Sequence, residues 1–195
     1  MAWSDDLVCP LNNAVFIDRD GVVNAESGHV TRENDFHLLP DAASAIRRLR
    51  LAGFQVVVIT NQSGIARGLL TEAGLDRIHD QMKRQLAEGG AVLDAIYYCP
   101  HHPTEGTSSR FRKVCQCRKP APGLLMQAGR ELDISLTDSY MVGDHETDIE
   151  AGRAAGCRTI LINAEDATAT KVDSDADHVC TRLEKAVAWI LERER

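Results

Sequence analysis

Short apolar runs alternate with longer amphipathic stretches along the chain. Ala14–Ile17, Gln55–Thr60, Ala95–Cys99, Ser139–Val142 and Arg158–Ile162 are brief and mostly apolar, which predicts strands. Gln55–Thr60 holds three valines and an isoleucine and reads as a strand covered on both faces. Asp41–Ala52 repeats Ala42, Ala45, Ile46 and Leu49 at helical spacing, with Asp41 as candidate cap and Gly53 as stop. Thr71–Ala87 carries a second stripe, Leu75, Ile78, Met82 and Leu86. Pro122–Leu132, Thr147–Ala155 and Arg182–Glu192 read as further helices, with Pro122 suited to a first turn.

Strands alternating with helices predict βαβ units and a mainly parallel sheet. Ligands of such sheets bind outside the carboxyl ends of the strands. Asp18 and Asp20, Thr60 and Asn61, and Asp144 and Asp148 all fall at such ends. Residues far apart in sequence are therefore expected on one rim.

Composition narrows the class. The 195 residues are 44% apolar and 26% charged, enough for one domain with a core that needs no disulfide staples. A net charge of −7 with no basic arm excludes a general nucleic-acid or anionic-membrane binder. Val56–Ile59 and Thr159–Ile162 are far too short to span a bilayer. Met1–Pro10 is acidic and lacks an apolar signal core, so a cytoplasmic protein is expected. Clustered cysteines there suggest metal before disulfide. A monomer acting on a small molecule is a separate expectation.

The acidic rim carries the candidate chemistry. In Asp18-Arg19-Asp20-Gly21, a carboxylate at a strand end can be a nucleophile, and a second one two residues on can be its general acid and base. The same pattern also makes ordinary turns. Gly143-Asp144-His145-Glu146-Thr147-Asp148 adds two more carboxylates, although Asp148 alone could be a helix-start acid. Four carboxylates on one rim repel unless a cation sits among them, and oxygen ligands suit Mg²⁺. Lys119 alone would be a surface lysine; beside this rim it is the natural counter-ion. Thr60-Asn61-Gln62-Ser63-Gly64 can cradle a phosphate or be a plain polar turn.

Cys99-x-His101, thirteen residues, then Cys115-x-Cys117 supplies three thiolates and an imidazole, a closed set for structural Zn²⁺. His102 competes with His101. The loop His102–Val114 has little apolar material to fold on, so a metal clip has a purpose. It runs into Arg118 and Lys119, so zinc would fix the lysine. Cys9, Cys157 and Cys180 read as isolated thiols, and His37, His79 and His178 show no partner pattern.

Four ordered pieces resemble the haloacid-dehalogenase (HAD) phosphatase superfamily: Phe-Ile-Asp-Arg-Asp-Gly at 16–21, Val-Ile-Thr-Asn-Gln at 58–62, Arg-Lys-Pro at 118–120 and Gly-Asp-His-Glu-Thr-Asp at 143–148. Thr60–Gly68, Tyr97–Pro103 and Cys115–Pro120 more closely resemble the substrate and zinc loops of the D-glycero-D-manno-heptose-1,7-bisphosphate 7-phosphatase family. The resemblance implies a Rossmann-like three-layer α/β sandwich. About twenty residues separate Asp20 from the first helix, so it is capless. It implies that Asp18 is the nucleophile, Asp20 the acid and base, and Thr60 and Lys119 the phosphoryl ligands. Asp18, the carbonyl of Asp20 and Asp144 would hold Mg²⁺, with Asp148 behind them. It implies His101 as the fourth zinc ligand. Asn61, Gln62, Ser63, Arg67, Arg118, Lys119 and His145 would contact substrate. His145 stands where the family often has lysine, and Glu26-Ser27-Gly28-His29 where it often reads Asp-His-Gly-Tyr.

The implied reaction removes the C7 phosphate of a heptose bisphosphate in the making of nucleotide-activated heptose. Histidinol phosphate or another small sugar phosphate is the nearest alternative. A receiver-like phosphoacceptor module is a rival of another class, but it has no need of an acid–base at Asp20. A zinc-stabilised binding protein without activity would not need Asp18, Asp20, Lys119 and Asp144 together.

Overall fold

The computed structural model describes residues 12–25, 28–163 and 174–194. Met1–Pro10, Cys9, Glu26 and Ser27 lie outside them. Six parallel strands form one sheet: β1 (Ala14–Ile17), β2 (Gln55–Asn61), β3 (Ala95–Cys99), β4 (Tyr140–Gly143), β5 (Arg158–Ile162) and β6 (His178–Cys180). Their order is β3-β2-β1-β4-β5-β6. Among the described residues there are five α-helices: α1 (Ala42–Leu51), α2 (Glu72–Glu88), α3 (Gly123–Glu131), α4 (Glu146–Ala155) and α5 (Leu183–Arg193).

Both faces of the sheet are covered, which explains why its central strands read as continuous apolar runs. Val15 and Ile17 of β1, with Val56 and Val58 of β2, pack under α1, α2 and α5. Ala14, Phe16, Val57 and Ile59 alternate to the opposite face and pack under α3 and α4. Three layers result, α/β/α, as expected.

The chain moves outward in opposite directions from the β1–β4 pair. That pair is therefore the switch point, where an α/β sheet opens a crevice at its carboxyl edge. Asp18 follows β1 there and Asp144 follows β4. The backbone N–H of Asp18 donates to the carbonyl of Val142 at 2.9 Å, so the two loops leave the sheet side by side. Among the described residues, the segment between β1 and α1 holds no element longer than a three-residue 3-10 turn, Glu33–Asp35. No described helix is long and apolar enough to cross a membrane.

Several expectations need correction. Asp41 does not cap α1 with its side chain; its carboxylate instead pairs with Arg182 at 3.5 Å. Pro122 stands one residue before α3 rather than in its first turn. The pattern missed β6 because it spans three residues at the sheet edge with its central Val179 exposed.

His79, for which the sequence suggested no role, is a buried residue of α2 at 5% exposure. Burial, reinforced by the charges of Arg19 and Lys83, lowers its pKa from 6.5 to about 3. The folded state therefore takes up no proton there while the unfolded chain does, and stability falls as pH drops below 6.5. Between pH 7.5 and 5.5 the loss is about 1.4 kcal/mol. His79→Phe is expected to remove that much of the pH dependence, read by urea denaturation at both pH values. An unchanged slope would place the proton uptake elsewhere.

Candidate active site

The turn after β1 is built by hydrogen bonds to its own backbone. Gly21 adopts a left-handed φ of +76° and faces Asp144. A Cβ added at Gly21 would lie 2.0 Å from Asp144 Oδ2, so only glycine lets that carboxylate approach the loop. Val23 and Asn24 N–H groups close the turn on the carbonyl of Arg19 at 2.9 and 3.0 Å.

Lys119 is the centre of the charge arrangement. Its Nζ lies 3.0 Å from Asp18 Oδ1 and 2.5 Å from Asp148 Oδ1, and donates to the carbonyl of Ile59 at 2.8 Å. The side chain is 2% exposed. Burial opposes its charge, but Asp18 and Asp148 outweigh burial and raise its pKa. Asp148 is equally buried, and its Oδ2 also accepts from the backbone N–H of His145 at 3.1 Å. Asp148 thus holds the lysine and the start of α4 together.

Asp18 is pushed up to about 6, chiefly by burial, with Asp148 raising it and Lys119 pulling it down. Burial also raises Asp144, which the His145 imidazole at 2.8 Å partly offsets and the charge of Asp18 reinforces. Crowded acids of raised pKa at a glycine-lined opening are what a divalent cation would relieve. Asp18, the Asp20 carbonyl and Asp144 offer only oxygen donors, which fits Mg²⁺.

A cleft of about 360 Å³ opens here, lined by Asp18, Asp20, Thr60, Asn61, Arg118, Lys119 and His145, with His29 at its rim. Other predicted substrate contacts are placed differently. The amide of Gln62 donates to Asp20 Oδ2 and to Thr60 Oγ1, both at 2.9 Å, and does not line the cleft. Ser63 is buried. Asn61 lines the cleft but uses its amide on Lys119, donating to the carbonyl and accepting from the N–H at 3.1 Å each. Arg67 does not line the cleft but reaches its rim, pairing with Glu105 at 3.1 Å and with His29 Nε2 at 3.1 Å. It joins the loop after β1 to the Cys/His loop.

The sulfurs of Cys99, Cys115 and Cys117 lie 3.3–3.6 Å apart, and His101 Nδ1 sits 3.2 Å from Cys117 Sγ. All four ligand atoms fall within 4.8 Å of one another. A tetrahedral Zn²⁺ with bonds of about 2.3 Å to sulfur needs edges of roughly 3.8 Å, so the donor set fits. The competing His102 is turned away, its Nδ1 accepting from the N–H of Glu105 at 2.9 Å.

A HAD-hydrolase-like family model matches residues 116–186. D-glycero-β-D-manno-heptose-1,7-bisphosphate 7-phosphatase of Yersinia pestis is 42% identical over 171 residues, which cover 87% of this chain and 90% of the relative. The Escherichia coli K12 enzyme of the same name is 43% identical, over 87% and 89%. The chain belongs to this family of HAD phosphatases. D,D-heptose 1,7-bisphosphate phosphatase from B. bronchiseptica, solved with magnesium and phosphate, superposes with a TM-score of 0.80 at 38% identity, covering 93% of this chain and 99% of that one.

As a HAD phosphatase the chain is a phosphoric monoester hydrolase. Within the site, sequence reasoning gave no role to Arg19 or His29. Arg19 lay between two acids in a polar turn, where an arginine ordinarily faces water; here it is 1% exposed. His29 carried a signal in its departure from the family pattern.

Proposed function

We propose that the protein hydrolyses the C7 phosphate of D-glycero-β-D-manno-heptose 1,7-bisphosphate through a phosphorylated Asp18. The observation that carries the reading is Lys119, fully buried yet charged, 3.0 Å from Asp18, which follows β1 at the β1–β4 opening and lines the cleft. Asp18 Oδ attacks phosphorus while the bond to the sugar oxygen breaks and Asp20 protonates that oxygen. Asp20 then takes a proton from water as its oxygen attacks the aspartyl phosphate, and Asp18 leaves as carboxylate. Thr60 and Lys119 hold the phosphoryl oxygens, so most of the catalysis is positioning and charge compensation. Mg²⁺ held by Asp18, the Asp20 carbonyl and Asp144 would supply further compensation of the phosphoryl charge.

Zn²⁺ at Cys99, His101, Cys115 and Cys117 would be structural, because a closed thiolate set leaves no position for substrate. Arg118 and His145, on the cleft wall, are the substrate contacts best placed for the sugar and its second phosphate. A single-domain cytoplasmic monomer accords with the acidic charge and compact sheet.

The test is Mg²⁺-dependent phosphate release from the β and α anomers and from histidinol phosphate, with Asp18→Asn as control. At least tenfold preference for the β anomer is expected, abolished in the control. Preference for histidinol phosphate would sink the substrate, and turnover surviving in Asp18→Asn would sink the mechanism. A phosphoprotein that persists without turnover would favour the phosphoacceptor reading.

A further inference from the structure

We infer that Arg19 is the positioning residue of the reaction, fixing the carboxylates of Asp18 and Asp20 relative to one another. The inference rests on the roles proposed above for those two acids.

Arg19 stands between them in sequence, and its side chain turns inward. Its Nε and Nη2 donate to Asp20 Oδ1 at 3.1 and 2.9 Å, and Nη2 also reaches Oδ2 at 2.8 Å. Asn24 Nδ2 adds a bond to Oδ1 at 3.1 Å, and Gln62 Nε2 one to Oδ2 at 2.9 Å. The carboxylate is thus gripped by three side chains and still 26% exposed toward the cleft. The backbone N–H of Arg19 meanwhile donates to Asp18 Oδ1 at 2.7 Å. One residue therefore holds both reacting carboxylates, one through its main chain and one through its side chain.

This is a costly way to fill space. Burying a guanidinium is strongly unfavourable until its partners offset the lost hydration. Here Nη1 has no hydrogen-bond partner among the described residues, and the neighbouring His79 is kept neutral by burial. An aliphatic side chain would pack the same volume without that penalty. The chemistry explains the exception. In an in-line displacement, the leaving sugar oxygen and the later attacking water occupy the same side of phosphorus, opposite Asp18. One carboxylate can serve both steps only if it is held at that apex. Misplacement by about 1 Å costs roughly 10²-fold in rate.

The experiment compares wild type, Arg19→Met, Asp20→Asn and the double variant on heptose bisphosphate and on p-nitrophenyl phosphate. Arg19→Met is expected to lower kcat on the sugar phosphate about 10²-fold with KM within about threefold. p-Nitrophenolate leaves without protonation, so on that substrate Arg19→Met should release a burst of about one nitrophenolate per site before slow turnover. In the Asp20→Asn background, Arg19→Met should cost less than about threefold more, because both act through one carboxylate.

Loss without a burst, or effects that multiply, would make Arg19 structural and overturn the proposal. Asp20→Asn with near wild-type kcat would instead remove the role of Asp20, and this proposal with it. Where Arg19→Met does not unfold cooperatively in urea, the cycle is run with Arg19→Lys. That variant keeps the buried cation and loses the fork, and is expected to show about tenfold loss with the same burst. Wild-type kcat in Arg19→Lys would overturn the proposal.

Discussion

Lys119→Met is expected to lower phosphate release at least about 10³-fold and to destabilise the protein most at neutral pH. The ammonium lies 3.0 Å from Asp18 and 2.5 Å from Asp148 and is 2% exposed. Without it, two buried carboxylates face each other. Breaking a buried pair by removing one partner typically costs about 3–5 kcal/mol.

The pH dependence separates this account from simple packing loss. Asp18 already has a folded-state pKa of about 6 against 3.8 for an ordinary aspartate, raised mainly by burial and held down by Lys119. A group with a raised folded pKa favours folding below its unfolded pKa, and that contribution is lost as pH climbs through the folded value. Removing the lysine raises Asp18 further and extends the loss. Urea denaturation of magnesium-free protein should therefore show a larger deficit for Lys119→Met at pH 7.5 than at pH 5.5. An equal deficit at both, or a rate within tenfold of wild type, would refute the role assigned to Lys119.

The strands other than β6 and the acidic rim were legible because they depend on local pattern. The apolar run Gln55–Thr60 signalled a strand covered on both faces, and strand ends located Asp18, Thr60 and Asp144. His79 also fell on the stripe of Leu75, Ile78 and Met82, so its burial followed the helical period although its charge state did not. What pattern could not convey was the direction of side chains in loops. Gln62, Ser63 and Arg67 share one polar segment after β2. Yet Gln62 turns to Asp20, Ser63 is buried, and Arg67 turns to Glu105. Loops have no period to tell these apart, and the partners are 42 and 38 residues distant.

With Zn²⁺ held by the Cys/His loop as proposed, its removal, or replacement of Cys117 with Ser, is expected to reduce activity about 10²-fold in a way that added Mg²⁺ does not restore. The reason lies in what the Cys/His loop carries. Cys99 ends β3 in the buried core, and Cys117 precedes Lys119 by only two residues. Arg118 Nη1 donates to the carbonyl of His101 at 3.2 Å, and Asn61 grips the Lys119 backbone from β2. The loop is also seated on the segment after β2, where the N–H of Thr107 donates to the carbonyl of Ala66 at 3.0 Å. A Cβ on Gly106 would come within 2.9 Å of that same oxygen, so the seat is close-fitting. The rest of the core lies under α1 to α5, so the metal-free protein should still unfold cooperatively, at a lower midpoint. If the ion acts by placing Lys119, chelation should add little to the loss already present in Lys119→Met. Losses that multiply would mean that the ion contributes by another route, and full activity after chelation would mean that the lysine is held by Asn61, Asp18 and Asp148 alone.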